Sequence, residues 1–111
     1  MEKIIVFVDD IREPNNYIDC SNNKVYCART YNSFVLILDY LYKKYGYIDE
    51  IWFDHDLGNN SKSGYDCAKY LIDFCDKYNL TIPQYHIHSA NPVGRQNIDS
   101  YIKSYQKSLT L

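Results

Sequence analysis

The sequence predicts an α/β protein built on a mostly parallel sheet. Short near-continuous apolar runs alternate with stretches of helical periodicity, and the order reads β, loop, β, α, β, α, β, α. The apolar runs also end abruptly in charged residues, as strands do where a sheet core stops.

Lys3 to Val8 is the first apolar run, closed by Asp9 and Asp10, and suits a strand covered on both faces. Residues 11–23 contain Pro14 and two Asn pairs, which predict a loop rather than a helix. Lys24 to Ala28 reads as a second strand. Thr30 can cap the following helix, which carries Phe34, Ile37, Leu38 and Leu41 at helical spacing and stops at Gly46. Ile48 to Asp54 is the third strand, and Gly58 to Gly64 reads as a flexible loop. A helix from about Tyr65 to Tyr78 follows, with Ala68, Leu71, Ile72 and Cys75 on one face. Pro83 precedes a fourth strand, Gln84 to Ser89. The last helix covers roughly Arg95 to Leu109, with Ile98, Tyr101, Ile102 and Tyr105 inward. No repeat, low-complexity segment or internal boundary interrupts the pattern, so residues 1–111 read as a single domain.

With 46% apolar and 23% charged residues, the composition is that of an ordinary globular protein. A net charge of −2 argues against an extended nucleic-acid or membrane surface but leaves room for a small basic pocket for one phosphate. Cys20, Cys27, Cys67 and Cys75 form no CxxC pair. With no signal peptide at the N-terminus, they read as reduced thiols of a cytoplasmic protein. No apolar run approaches the roughly 20 residues that span a bilayer. The thirteen tyrosines read as AT-rich coding bias rather than as a stacking platform. Nothing in the pattern assigns an oligomeric state.

In an open parallel sheet, ligands bind beyond the C-terminal strand ends, where the strand order reverses. The polar residues of this chain gather at those ends: Asp9 and Asp10, then Arg29, then Asp54, His55 and Asp56, then His88, Ser89 and Asn91. If strands one, three and four are neighbours, these groups converge. Carboxylates brought together repel unless they share a cation or a proton, and oxygen ligands of this kind suit Mg²⁺ or Mn²⁺. Asp9, Asp10, Asp54 and Asp56 are the candidate ligands. Taken singly, such an acid is more often a local cap, as Asp10 would be with Arg12, or Asp56 at the turn into Gly58.

Strand periodicity places Asp54 and Asp56 on one face and His55 on the other, provided the extended backbone persists. His86 and His88 likewise share a face. His86 lies deeper and reads as a packed core residue, whereas His88 and His55 are candidate proton-transfer groups. Asn91-Pro-Val-Gly-Arg95 leads into a helix N-terminus, where free N–H groups favour an anion. Arg95 could add a bidentate phosphate contact, and Arg12 and Arg29 are further candidates. There is no GxGxxG, no GxxxxGK[ST] and no zinc-like Cys/His spacing.

The segments V8-D-D-I-R-E-P14, A28-R-T30, F53-D-H-D-L-G58, S63-G-Y-D66 and H88-S-A-N-P-V-G-R95 together resemble the cyclic-phosphate processing receiver-like domains. That family derives from the response-regulator receiver fold. The resemblance spans nearly the whole chain. It implies a flavodoxin/receiver-like parallel sheet of about four strands, with helices on both faces and the first helix reduced to a loop. It matches Asp9, Asp10 and Asp54 to the receiver's metal-binding and phosphoacceptor acids, and Ser89 to the Ser or Thr after strand four. The receiver's lysine after a fifth strand has no counterpart, since Lys103 and Lys107 fall in the last helix. His55, Asp56, His88, Asn91 and Arg95 are what the family adds to the receiver pattern.

The expectation is a phosphoesterase-like domain acting on a cyclic phosphate of a nucleotide or RNA end. Asp54, His55, His88 and Ser89 would be catalytic, Arg12, Arg29, Asn91 and Arg95 would bind substrate, and Mg²⁺ or Mn²⁺ would assist. Two rivals are a module that sequesters a cyclic nucleotide without cleaving it, as a phage could use against nucleotide-signalling defences, and a receiver-type phosphoacceptor using Asp54.

Overall fold

The structure is a computed structural model that describes residues 2–57 and 62–109. Its strands are β1 (Ile4–Val8), β2 (Lys24–Ala28), β3 (Glu50–Phe53) and β4 (Gln84–Ile87). Its helices are α1 (Tyr31–Tyr45), α2 (Gly64–Tyr78) and α3 (Pro92–Ser108), and a single 3-10 turn, Pro14–Asn16, lies between β1 and β2. The strands form one parallel sheet in the order β2-β1-β3-β4. This is the flavodoxin/receiver-like arrangement, with its first helix reduced to the 3-10 turn. The order reverses at β1, so β1, β3 and β4 lie side by side. Among the described residues there is no fifth strand.

The sheet's two faces are covered unequally. Ile4, Val6, Val8, Ile51 and Phe53 join one core with Phe34 and Leu38 of α1, Leu71 and Cys75 of α2, and Ile98 and Ile102 of α3. Each such side chain contributes about 1.5–3 kcal/mol on burial. Ile5 and Phe7 point the other way and meet Ile18, with Val25, Cys27 and Trp52 packed beside them. Helices on both faces were expected, but α1, α2 and α3 all pack on the first face. The second has the loop of residues 9–23 and its 3-10 turn for cover and no α-helix among the described residues, because the helix between β1 and β2 is the one reduced to that turn.

The helix ends follow the local chemistry. Thr30 and Ser33 cap α1 reciprocally, the Thr30 hydroxyl accepting from the Ser33 N–H at 3.1 Å and the Ser33 hydroxyl from the Thr30 N–H at 3.0 Å. Gly46, at φ 81°, ends α1 in the left-handed region. At α2 the Asp66 carboxylate accepts from the Ser63 N–H at 2.7 Å. Helix α3 starts earlier than the predicted Arg95: Asn91 is its cap and Pro92 occupies the first turn, where a missing N–H costs nothing. β3 and β4 are each shorter than predicted: β3 starts at Glu50 and ends at Phe53, β4 ends at Ile87, and the backbone bends only beyond them, at His55 and at Ala90. Residues 58–61 of the predicted flexible loop lie outside the described residues. All four cysteines are free thiols, and among the described residues no helix is long and apolar enough to cross a membrane.

Candidate functional site

Register builds the site. Phe7 pairs with Trp52, and Trp52 with His86, in one row across the sheet. Two residues further along the same face come Asp9, Asp54 and His88, at the C-terminal strand ends. Asp9 is wholly buried. Its Oδ1 accepts the backbone N–H groups of Ile11 and Arg12, both at 2.9 Å. Its Oδ2 accepts from Arg12 Nη1 at 3.1 Å and from His88 Nε2 at 2.9 Å. Burial alone would push this carboxyl up. The four donors outweigh it and hold Asp9 below its ordinary value, so it stays charged.

Asp54 behaves oppositely. It is only 5% exposed, and burial, then the neighbouring charge of Asp9, push its carboxyl up, against weaker opposition from Ser89, His88 and Arg12. Ser89 is buried beside Asp54, where it opposes the rise, and its hydroxyl accepts the Asn91 N–H at 3.1 Å. Arg12 lies between the two acids, 3.1 Å from Asp9 and 3.5 Å from Asp54.

Asp9, Asp10 and Asp54 each offer an oxygen within 4.8 Å of the others. This all-oxygen set fits a hard divalent cation such as Mg²⁺ or Mn²⁺. The Asp10 carboxylate has no hydrogen bond or ion pair among the described residues and is the open ligand. Arg12 already sits against the other two, so an ion there has to compete with its guanidinium. These acids, with Ile11, Arg12, Asp56 and Ala90, line a cavity of about 440 Å³. A cavity of about 590 Å³ between the C-terminal ends of α1 and α2 holds no comparable cluster.

The His88 ring stacks on Phe7, centroids 4.7 Å apart and 3° from parallel. Burial lowers its pKa, against the pull of Asp9. With Nε2–H assigned to the bond with Asp9, Nδ1 is left as a buried acceptor without a partner. His55 lies nearer the surface, and its Nδ1 is 3.0 Å from Asp56 Oδ1. The extended backbone therefore does not persist to Asp56: His55 and Asp56 face each other across a turn, and Asp54 and Asp56 nonetheless line the same cavity.

Two glycines hold that turn. The Gly64 N–H donates to the His55 carbonyl at 2.6 Å, and a Cβ on Gly64 would overlap the Asp54 carbonyl. A Cβ on Gly94 would overlap the His55 imidazole. The D-H-D, S-G-Y-D and H-S-A-N-P-V-G-R segments thus pack together. Neither contact was anticipated. The available signal was a glycine in the first turn of each helix, where it costs about 1 kcal/mol against alanine.

The remaining predicted groups have other placements. Arg29 ties down the loop after β1, donating to the Arg12 carbonyl at 2.7 Å and to Glu13 at 2.9 Å. The Asn91 carboxamide oxygen accepts the Gly94 N–H at 3.0 Å and so caps α3. Arg95 is exposed and lines a groove beside β4 with Tyr85, Ile87 and Asp99, apart from the carboxylate cavity. His86 is not a core residue: its side chain is 37% exposed, its ring tilted against Trp52 at 4.3 Å and 3.3 Å from Glu50.

A family model described as the cyclic-phosphate processing receiver domain matches residues 4–104. No curated protein and no solved structure matches the chain.

Proposed function

The chain belongs to the cyclic-phosphate processing receiver family, and from that premise we propose that it is a phosphoesterase acting on a cyclic phosphate of a nucleotide or RNA end. The observation that carries this is the cavity at the strand ends. There a charged Asp9, a proton-prone Asp54 and the open Asp10 lie with Arg12 and with Asp56, the partner of the neighbouring His55.

Arg12 supplies positive charge for the non-bridging phosphate oxygens. Asp56 aims His55: with Nδ1–H donated to Asp56, Nε2 is the atom that can take a proton from water. The water oxygen bonds phosphorus, one phosphorus–ribose oxygen bond breaks, and the departing oxygen takes its proton from solvent in the cavity. His88 is too buried to touch substrate; it keeps Asp9 charged and in place. Ser89 opposes the rise of the Asp54 carboxyl without overcoming it. A divalent ion on Asp9, Asp10 and Asp54 would supply further neutralisation of developing phosphate charge.

The test is incubation with 2′,3′-cyclic nucleotides and cyclic oligonucleotides in Mg²⁺ or Mn²⁺. Turnover should appear and be lost in Asp54→Ala and His55→Ala. No turnover on any substrate, or turnover indifferent to both changes, sinks the catalytic reading.

A second reading, binding without cleavage, is favoured by one observation. Arg12 lies against both buried acids and offsets part of their charge, which lessens the cavity's need of a metal to hold an anion. Recovery of intact cyclic nucleotide after denaturing a saturated sample supports this reading over the first.

A further inference from the structure

We propose that the helix-free face of the sheet, beside the carboxylate cavity, is a platform for the base of the bound nucleotide, formed by Tyr17, Trp52 and His86. The inference rests on the phosphate reading above and gives its ligand a second point of attachment.

The rings form one connected set. Trp52 lies between its neighbours, 4.3 Å from the His86 ring and 6.5 Å from Tyr17. His88 belongs both to this set and to the site. Its ring is 5.6 Å from Tyr17 and 6.2 Å from Trp52, while its Nε2 holds Asp9. The ring surface and the phosphate cavity are therefore adjacent rows of one sheet face, two residues apart along β1, β3 and β4. A nucleotide has that form: a charged phosphate at one end and a flat π-surface a few ångströms away.

The platform is also held rigid and left open. Glu50 accepts from Trp52 Nε1 at 3.2 Å and from Lys3 at 2.7 Å, and lies 3.3 Å from His86 Nε2. The Trp52–Glu50 bond and the close packing of His86 against the indole hold these rings before any ligand arrives, which lowers the entropy lost on binding. Yet Tyr17 is 44% exposed and the His86 side chain 37%. A covering apolar helix would desolvate Glu50, His86 and the tyrosine hydroxyl without offering partners. A base offers N–H and carbonyl edges to those groups and a π-face to the rings.

Trp52 is the chain's one tryptophan, so intrinsic fluorescence reports on the platform itself. The protein is titrated by stopped flow, before turnover, with 2′,3′-cyclic AMP, with the base-free methyl riboside 2,3-cyclic phosphate, and with a short RNA ending in a 2′,3′-cyclic phosphate. The nucleotide should quench Trp52 and bind about 5- to 150-fold more tightly than the base-free ester, the range expected for one stacked base. Tyr17→Ala, a change at an exposed loop residue that keeps the reporter, should remove most of that ratio and leave the base-free affinity unchanged. Trp52→Phe, followed by calorimetry, should lower it less. The RNA matching or exceeding the mononucleotide identifies the source of the base, and either result supports the platform. Equal affinity for the two small esters, or nucleotide binding that leaves Trp52 fluorescence unmoved, overturns the platform and spares the phosphate reading. If neither ester binds, both fall. Ligand-free self-association that shields Trp52 in sedimentation experiments also overturns it, in favour of a second copy on this face.

Discussion

Asp9→Asn and Asp54→Asn should change stability in opposite directions, although the two carboxylates are less than 5 Å apart. Their oxygens lie within 4.8 Å, a repulsion of about 3.5 kcal/mol at an effective dielectric near 20. Arg12 offsets part of this, but its side chain is 36% exposed, so solvent screens its attraction. For Asp54 the balance is unfavourable: its carboxyl is raised above the ordinary 3.8. A folded state that binds this proton more tightly than the unfolded chain is fully stabilised below 3.8. It loses that stability as pH rises through the folded value. Asp54→Asn removes the loss and should add about 1–2 kcal/mol at neutral pH, or about 5 °C or more in melting temperature. The gain should vanish below 3.8. Asp9 is the reverse, since its lowered carboxyl contributes stability above the ordinary value that disappears as pH falls through the folded one. Asp9→Asn loses the charge and sets an NH2 against two of the four donors, and should cost about 3–5 kcal/mol at neutral pH. Urea unfolding in EDTA at neutral and acid pH measures both. Saturating Mg²⁺ should then stabilise the parent protein, by about 2.7 kcal/mol at a hundredfold excess over its dissociation constant, but not Asp54→Asn. Loss of stability in Asp54→Asn at neutral pH, or changes of the same sign in both variants, would refute the reasoning.

Gly94→Ala should cost about 1–3 kcal/mol through overpacking against His55 and reduce turnover as far as His55→Ala does, readable by comparing urea midpoints and rates of the two variants. Arg12→Met should raise Mg²⁺ affinity in isothermal titration, because the guanidinium no longer competes for Asp9 and Asp54, while weakening inorganic phosphate binding. Burial keeps His88 neutral below its ordinary 6.5, so the unfolded chain takes up this proton first and stability should fall as pH drops below 6.5. His88→Gln should flatten that limb of the stability curve, measured by urea unfolding across the range.

The strand and helix order was legible because buried parallel strands leave apolar runs that end where the core ends. Convergence of the acids followed from the same rule, once β1, β3 and β4 proved to be neighbours. The choice between Asp9 and Asp10 was also within reach: Asp9 continues the parity of Ile5 and Phe7, so it turns to the face of His88 while Asp10 does not. What the sequence hid were distances across the chain. Arg12, Arg29 and Arg95 look equivalent in sequence. One lies between the acids, one binds loop carbonyls, and one is carried away because Pro92 starts α3 a turn early. The contacts of Gly64 and Gly94 likewise exist only when two helix N-termini meet the same turn.

The aromatic row changes the reading of the tyrosine-rich composition without contradicting it. Of thirteen tyrosines, Tyr17 joins the row beside the site, and others such as Tyr31, Tyr42, Tyr70 and Tyr105 pack against the helical core. The loop between β1 and β2 is what carries Tyr17, and not the others, to the ring of His88. The reduced first helix follows the same logic. An α-helix between β1 and β2 would cover Phe7 and Trp52, whereas a 3-10 turn carrying Tyr17 leaves their row partly open beside the carboxylates. The segment that looks like a deletion from the receiver pattern is therefore the one that exposes the sheet face on which a ligand larger than phosphate can lie.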